Sequence, residues 1–152
     1  MTGAAMSQHS ATIQWLRSPH PQDARTYSRR HVASLAGGQL VSMSAAVEYQ
    51  GDALCADPEQ MLISAVASCH MLTFLAIAER QKYRVESYQD NAVGYLEKVE
   101  GAGMAVTRIE LSPKISFGGD NLPDAAALSR LHASAHKNCF IANSINAKVS
   151  VV

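Results

Sequence analysis

The chain has 152 residues, a length that suits one domain. Hydrophobic residues make up 47% and charged residues 17%, which excludes a disordered chain. Lys and Arg number 13 against 13 Asp and Glu, so there is no general electrostatic drive toward nucleic acid or an anionic membrane surface.

Residues 1–10 are small and polar without periodicity and read as a flexible N-terminus, leaving residues 11–152 as a single expected domain. MTGAAMSQHSATIQWL lacks the basic start and apolar stretch of a secretory signal, so a cytoplasmic location is expected. Cys55, Cys69 and Cys139 are too few and too odd for a disulfide scaffold and read as thiols.

From Ala11 the chain reads as short strands, ATIQWLR, RTYSRRHVASL and QLVSMSAAVEY, with a turn at Gly37-Gly38: an antiparallel meander. Arg29 and Arg30 fall within a predicted strand and so point to opposite faces. They read as two surface arginines unless a thiol site lies nearby, because a buried guanidinium keeps its charge and lowers a neighbouring thiol's pKa.

Asp57 before Pro58 predicts an N-cap with proline at the first helical position, and the helix should run to about Gln81. It is apolar nearly all round, so it should be buried on most sides. Ser64, Ser68, His70 and Thr73 interrupt the apolar run, which predicts a core helix rather than a membrane span. Cys69, by composition alone, reads as a small hydrophobe filling that core. His70 cannot serve it as a base from the next position, since neighbours on a helix do not face each other.

Glu59 lies in the first turn, where the helix dipole favours a carboxylate. Ten residues separate it from Cys69, which is about 15 Å along the axis. A site using both residues would therefore need Glu59 from a second subunit.

RVESYQDNAVGYLEKV and MAVTRIELSPKISF alternate as two long strands joined at Glu100-Gly101-Ala102-Gly103. DAAALSRLHASAHKNC then predicts a second helix, and SINAKVSVV a last strand. His132, His136 and Cys139 share one stripe of that helix, but three ligands with no fourth are a poor metal site, and no metal or cofactor is expected. The order of elements implies an α+β domain with helices packed on antiparallel sheet.

DPEQMLISAVASCHMLTFLAIA, followed seventy residues after Cys69 by AHKNCFIANSINAKVSV, resembles the OsmC/Ohr family of osmotically induced and organic-hydroperoxide-resistance proteins. The resemblance implies an intertwined homodimer, with antiparallel sheets around a long central buried helix and a second helix beside it. It also implies a thiol-dependent peroxidase that reduces organic hydroperoxides, with Cys69 as the peroxidatic and Cys139 as the resolving cysteine, joined in a disulfide during turnover. Glu59 matches the family's glutamate, and Arg29 its thiolate-pairing arginine, with Arg30 in reserve. The reductant implied is a dithiol of the lipoyl kind. Phe140 follows Cys139 where many members carry proline. The alternative is a non-catalytic protein of the same fold that binds an apolar small ligand at the dimer interface.

Overall fold

The computed structural model describes residues 6–152, so residues 1–5 of the expected flexible terminus lie outside the described residues. Residues 6–10 are exposed and carry no strand or helix. The chain divides into two compact units, Met1–Pro58 and Glu59–Val152.

The first unit holds β1 (Ala11–Gln14), β2 (Pro19–His20), β3 (Asp23–Tyr27), β4 (His31–Leu35) and β5 (Leu40–Met43). β4 pairs antiparallel with β1 on one side and β5 on the other, and β2 with β3 makes a separate short ladder. Gly37 and Gly38, both at φ +88°, turn β4 into β5 in a conformation that side chains other than glycine rarely adopt. Arg29 and Arg30, expected within a strand, lie instead in the break between β3 and β4. The cause is long-range: the Ser28 amide donates to the Ser18 carbonyl at 2.8 Å, and the Ser28 carbonyl accepts from the Trp15 indole at 2.9 Å. Those bonds take the place of ladder partners.

The second unit is formed by α1 (Pro58–Arg80), β6 (Arg84–Asp90), β7 (Val93–Val99), β8 (Gly103–Leu111), β9 (Pro113–Gly118), α2 (Ala125–Lys137) and β10 (Lys148–Val151). The expected hairpin exists as β7 against β8, but each of its long arms is broken. β6 pairs with β9 as a separate ribbon, and β10 joins β8 in parallel, which departs from an all-antiparallel arrangement. Both arms break at one corner, where the Asp90 carboxylate accepts the Ser112 amide at 2.7 Å. Asp124 caps α2 by accepting the Ala127 amide at 2.7 Å.

One stripe of α1 is buried: Val66, His70, Phe74 and Ala78, spaced four apart. Val66 packs with Ile109, Leu111 and Val149 of the three-stranded sheet, and Phe74 and Ala78 pack with Leu131 and Ala135 of α2. Burial on most sides is not met within one chain, where Leu72 stays 59% exposed. The sheet and α2 reach only one side of a helix that is apolar all round. By length and composition α1 also qualifies as a membrane span, contrary to expectation; its packed stripe carrying a buried histidine is that of a core helix.

Candidate active site

Cys69 lies near the middle of α1, and Cys139 follows the C-cap of α2. The fold brings these two thiols together, unbonded covalently and close enough for each to influence the other's ionisation. Cys139 is fully buried, whereas Cys69 lines a cleft of about 620 Å³. Leu72, Ala76 and Ile77 give the cleft apolar walls, Arg80 and Asn138 give it polar groups, and Phe140 lines it while 80% exposed.

The environments of the two sulfurs differ. Burial pushes the Cys69 thiol up, but the Ile141 amide, the Cys139 thiol and the Phe140 amide favour its thiolate, and the balance lies below the ordinary thiol value. Burial pushes Cys139 up as well; the Ala142 amide pulls it down, the neighbouring Cys69 raises it further, and the balance lies above the ordinary value. The opposite shifts make Cys69 the more readily ionised of the two thiols. The Thr73 hydroxyl donates to the Cys69 carbonyl at 2.8 Å, which fixes the helix backbone at this point.

Arg29 belongs to the first unit, where its guanidinium donates to the Tyr27 carbonyl and lies 4.2 Å from the centre of the Tyr27 ring. Arg30 is bound to the Asp52 carboxylate, whose hydrogen bond and charge hold the guanidinium protonated. Glu59 sits half-buried in the first turn of α1, ten residues before Cys69. The distance derived from the helix rise stands.

His132, His136 and Cys139 do not converge. His132 turns to His70, with Nδ1 3.1 Å from His70 Nε2, and Cys139 turns to Cys69. Among the described residues no cluster of three or more such side chains could hold a metal ion.

One feature left little signal in the sequence, a buried polar group under α1: His70, His132, Tyr88 and Asp90, in which His70 Nδ1, Tyr88 Oη and Asp90 Oδ2 have no hydrogen-bond partner among the described residues. An acid within the alternating pattern of β6 was its only trace.

A family model described as OsmC-like protein matches residues 50–152. An OsmC-like protein of unknown function from Vibrio cholerae, VCA0330, is 39% identical in sequence and superposes with a TM-score of 0.89 over 97% of this chain and 100% of its own. The uncharacterized protein YmaD of Bacillus subtilis is 27% identical over 126 residues, which is 82% of this chain and 83% of that protein. The organic hydroperoxide resistance protein OhrB of Bacillus subtilis shares the fold, with a TM-score of 0.69 at 16% identity over 97% of this chain and 98% of its own. With the paired cysteines on the helix and the segment that the matched region carries, the chain belongs to the OsmC-like family.

Proposed function

We infer that the protein is a thiol-dependent peroxidase acting on organic hydroperoxides. The observation that carries this is the juxtaposition of two free thiols, a buried Cys139 and a Cys69 that faces an apolar cleft. The Cys69 thiolate attacks the terminal oxygen of the hydroperoxide, the O–O bond breaks, and the alkoxide leaves as alcohol after taking a proton. The product on the protein is a Cys69 sulfenic acid. Cys139 then gives up its proton, its sulfur displaces hydroxide from the sulfenic sulfur, water leaves, and a Cys69–Cys139 disulfide remains. An external dithiol, of the lipoyl kind, restores both thiols by exchange. An organic hydroperoxide resistance protein among the structural relatives is consistent with this substrate class.

The working form in this reading is a homodimer. The uncovered apolar surface of α1, Leu72 included, supports it. So does the separation of Glu59 from its own Cys69, because a second subunit is then the source of a glutamate within reach. Arg29 supplies positive charge in the same assembly, and a reducing cytoplasm keeps the thiols ready.

Mass spectrometry after one equivalent of cumene hydroperoxide tests the reading. The expected product is a Cys69–Cys139 crosslink with loss of two hydrogens, and persistence of both free thiols overturns it. The cleft also suits a second reading, an apolar ligand held without chemistry; then Cys69→Ser would keep ligand affinity and peroxide would be consumed no faster than by free cysteine.

A further inference from the structure

The two thiols are carried by different helices, and one polar contact ties those helices together beside them. His70 follows Cys69 on α1, and its Nε2 lies 3.1 Å from Nδ1 of His132 on α2. The rings are 10° from parallel, and the Phe74 ring, one turn further along α1, has its centre 4.6 Å from that of His132. His132, His136 and Cys139 follow one another at i, i+4 and i+7. The Cys139 amide donates to the His136 carbonyl at 3.3 Å, so the turn of α2 is carried on to the thiol. Around the two rings the helices meet through apolar side chains, Phe74 and Ala78 against Leu131 and Ala135.

Apolar contact is non-directional and lets helices slide or roll with little loss, whereas a hydrogen bond between two rigid rings fixes both distance and angle. A buried polar pair is also a costly way to join helices, and His70 Nδ1, buried without a partner among the described residues, adds to that cost. Leucine at both places would give apolar contact without it. Register, more than stability, is what the two rings supply.

We propose that the His70–His132 hydrogen bond is the clamp that sets the register of α1 against α2, and with it the approach of the Cys139 sulfur to Cys69. Neither ring lines the Cys69 cleft, so both are positioning residues that act through the helices they join. Burial holds each below its ordinary value, so at neutral pH both are uncharged and one can donate to the other. The clamp and both thiols lie within residues 59–152. Its consequence for turnover rests on the peroxidase reading; the register itself does not.

The readout is the effective concentration of one thiol for the other, measured by equilibrating the full chain in glutathione buffers at about pH 7. Closure converts the Cys69 and Cys139 thiols to a disulfide and one glutathione disulfide to two glutathione thiols, and peptide mass reads the crosslink apart from Cys55. His132→Leu keeps the bulk and removes Nδ1, whereas His132→Asn keeps a polar amide atom in the place of Nδ1. The Leu variant should lower the effective concentration about tenfold, because small displacements of reacting groups are expensive, and the Asn variant should keep it. Equal values in all three proteins overturn the clamp. An equal fall in both variants overturns it too, since ring packing would then hold the register. Should His132→Leu fail to fold, His132→Gln takes its place: the same amide one carbon further out should reproduce the fall, and a Gln variant that matches the Asn variant overturns the clamp. Glutathione closes the disulfide without peroxide, so a register that depends on His132 in a protein that consumes no hydroperoxide would sink the peroxidase reading alone.

Discussion

His70 Nε2 lies 3.1 Å from His132 Nδ1, with the two rings 10° from parallel, and this contact joins α1 to α2 at the position next to Cys69. His70 is 1% exposed, and one ring must donate to the other, so both cannot be charged. Burial first, then the charges of His132 and His136, hold His70 down to about 4, and burial lowers His132 also, against the pull of Asp90.

Stability should therefore depend on pH. A histidine kept neutral in the fold takes up a proton on unfolding, so its contribution is complete above the unfolded value of 6.5, declines as pH falls toward 4, and levels off below. The loss should amount to about 2–3 kcal/mol. Asp90 acts in the opposite sense: burial raises its pKa, so its folded form binds protons more readily and regains some stability at the acid end. Urea unfolding at about pH 7, 5 and 4 checks this, and His70→Leu should flatten the curve. An unchanged slope in that variant assigns the effect elsewhere.

Removing Cys139 should affect both halves of the proposed cycle. Cys139→Ser keeps a donor but has no sulfur to close the disulfide, so a Cys69 sulfenic acid should accumulate after one turnover, be trapped by dimedone and overoxidise with excess peroxide. Cys139→Ala also removes the neighbouring thiol that favours the Cys69 thiolate, and the alkylation midpoint of Cys69 should rise with it. Turnover in either variant at the unaltered rate would remove Cys139 from the mechanism.

The cleft beside Cys69 should set the preference for bulky substrates. Ala76 is a small residue in its wall, and Ala76→Phe should fill part of the 620 Å³ without touching either sulfur. The expected result is about tenfold lower kcat/KM for cumene hydroperoxide, with hydrogen peroxide little changed. Equal losses for both peroxides would mean that the substitution disturbs the thiols rather than the pocket.

Both helices were legible because their limits are chemical: Asp57-Pro58 opens α1, its apolar run ends in Glu79-Arg80, and Asp124 begins α2. The breaks between strands were not. β6 and β7 read as one alternating run, and so do β8 and β9, because the pattern continues through a corner fixed by a bond between Asp90 and Ser112, residues 22 apart. Arg29 was misplaced for the same kind of reason, since the bonds that peel Ser28 from its ladder come from Ser18 and Trp15. At the site, the order of the two cysteine segments led to Cys69 and Cys139, whereas the polar group around His70 depends on where the backbone turns.

Gly51 makes a prediction about the first unit that concerns close approach rather than backbone freedom. Its amide donates to the Ala46 carbonyl at 3.1 Å, and a Cβ built at Gly51 would stand 1.6 Å from the Ala45 carbonyl oxygen. That neighbour is backbone and cannot swing aside, so Gly51→Ala must open the turn after Val47–Tyr49. The next residue, Asp52, donates its amide to Ser44 Oγ at 3.1 Å and binds Arg30, and those contacts should loosen together. Destabilisation of about 1–3 kcal/mol is expected, with faster amide exchange concentrated over residues 44–52. Gly38→Ala separates the two causes: its Cβ meets nothing within 4 Å, and the φ of +88° alone costs it about 1 kcal/mol, without the exchange signature around Asp52. A Gly51→Ala protein as stable as the unaltered one would mean that the carbonyls of Ala45 and Ala46 do not pack on this glycine.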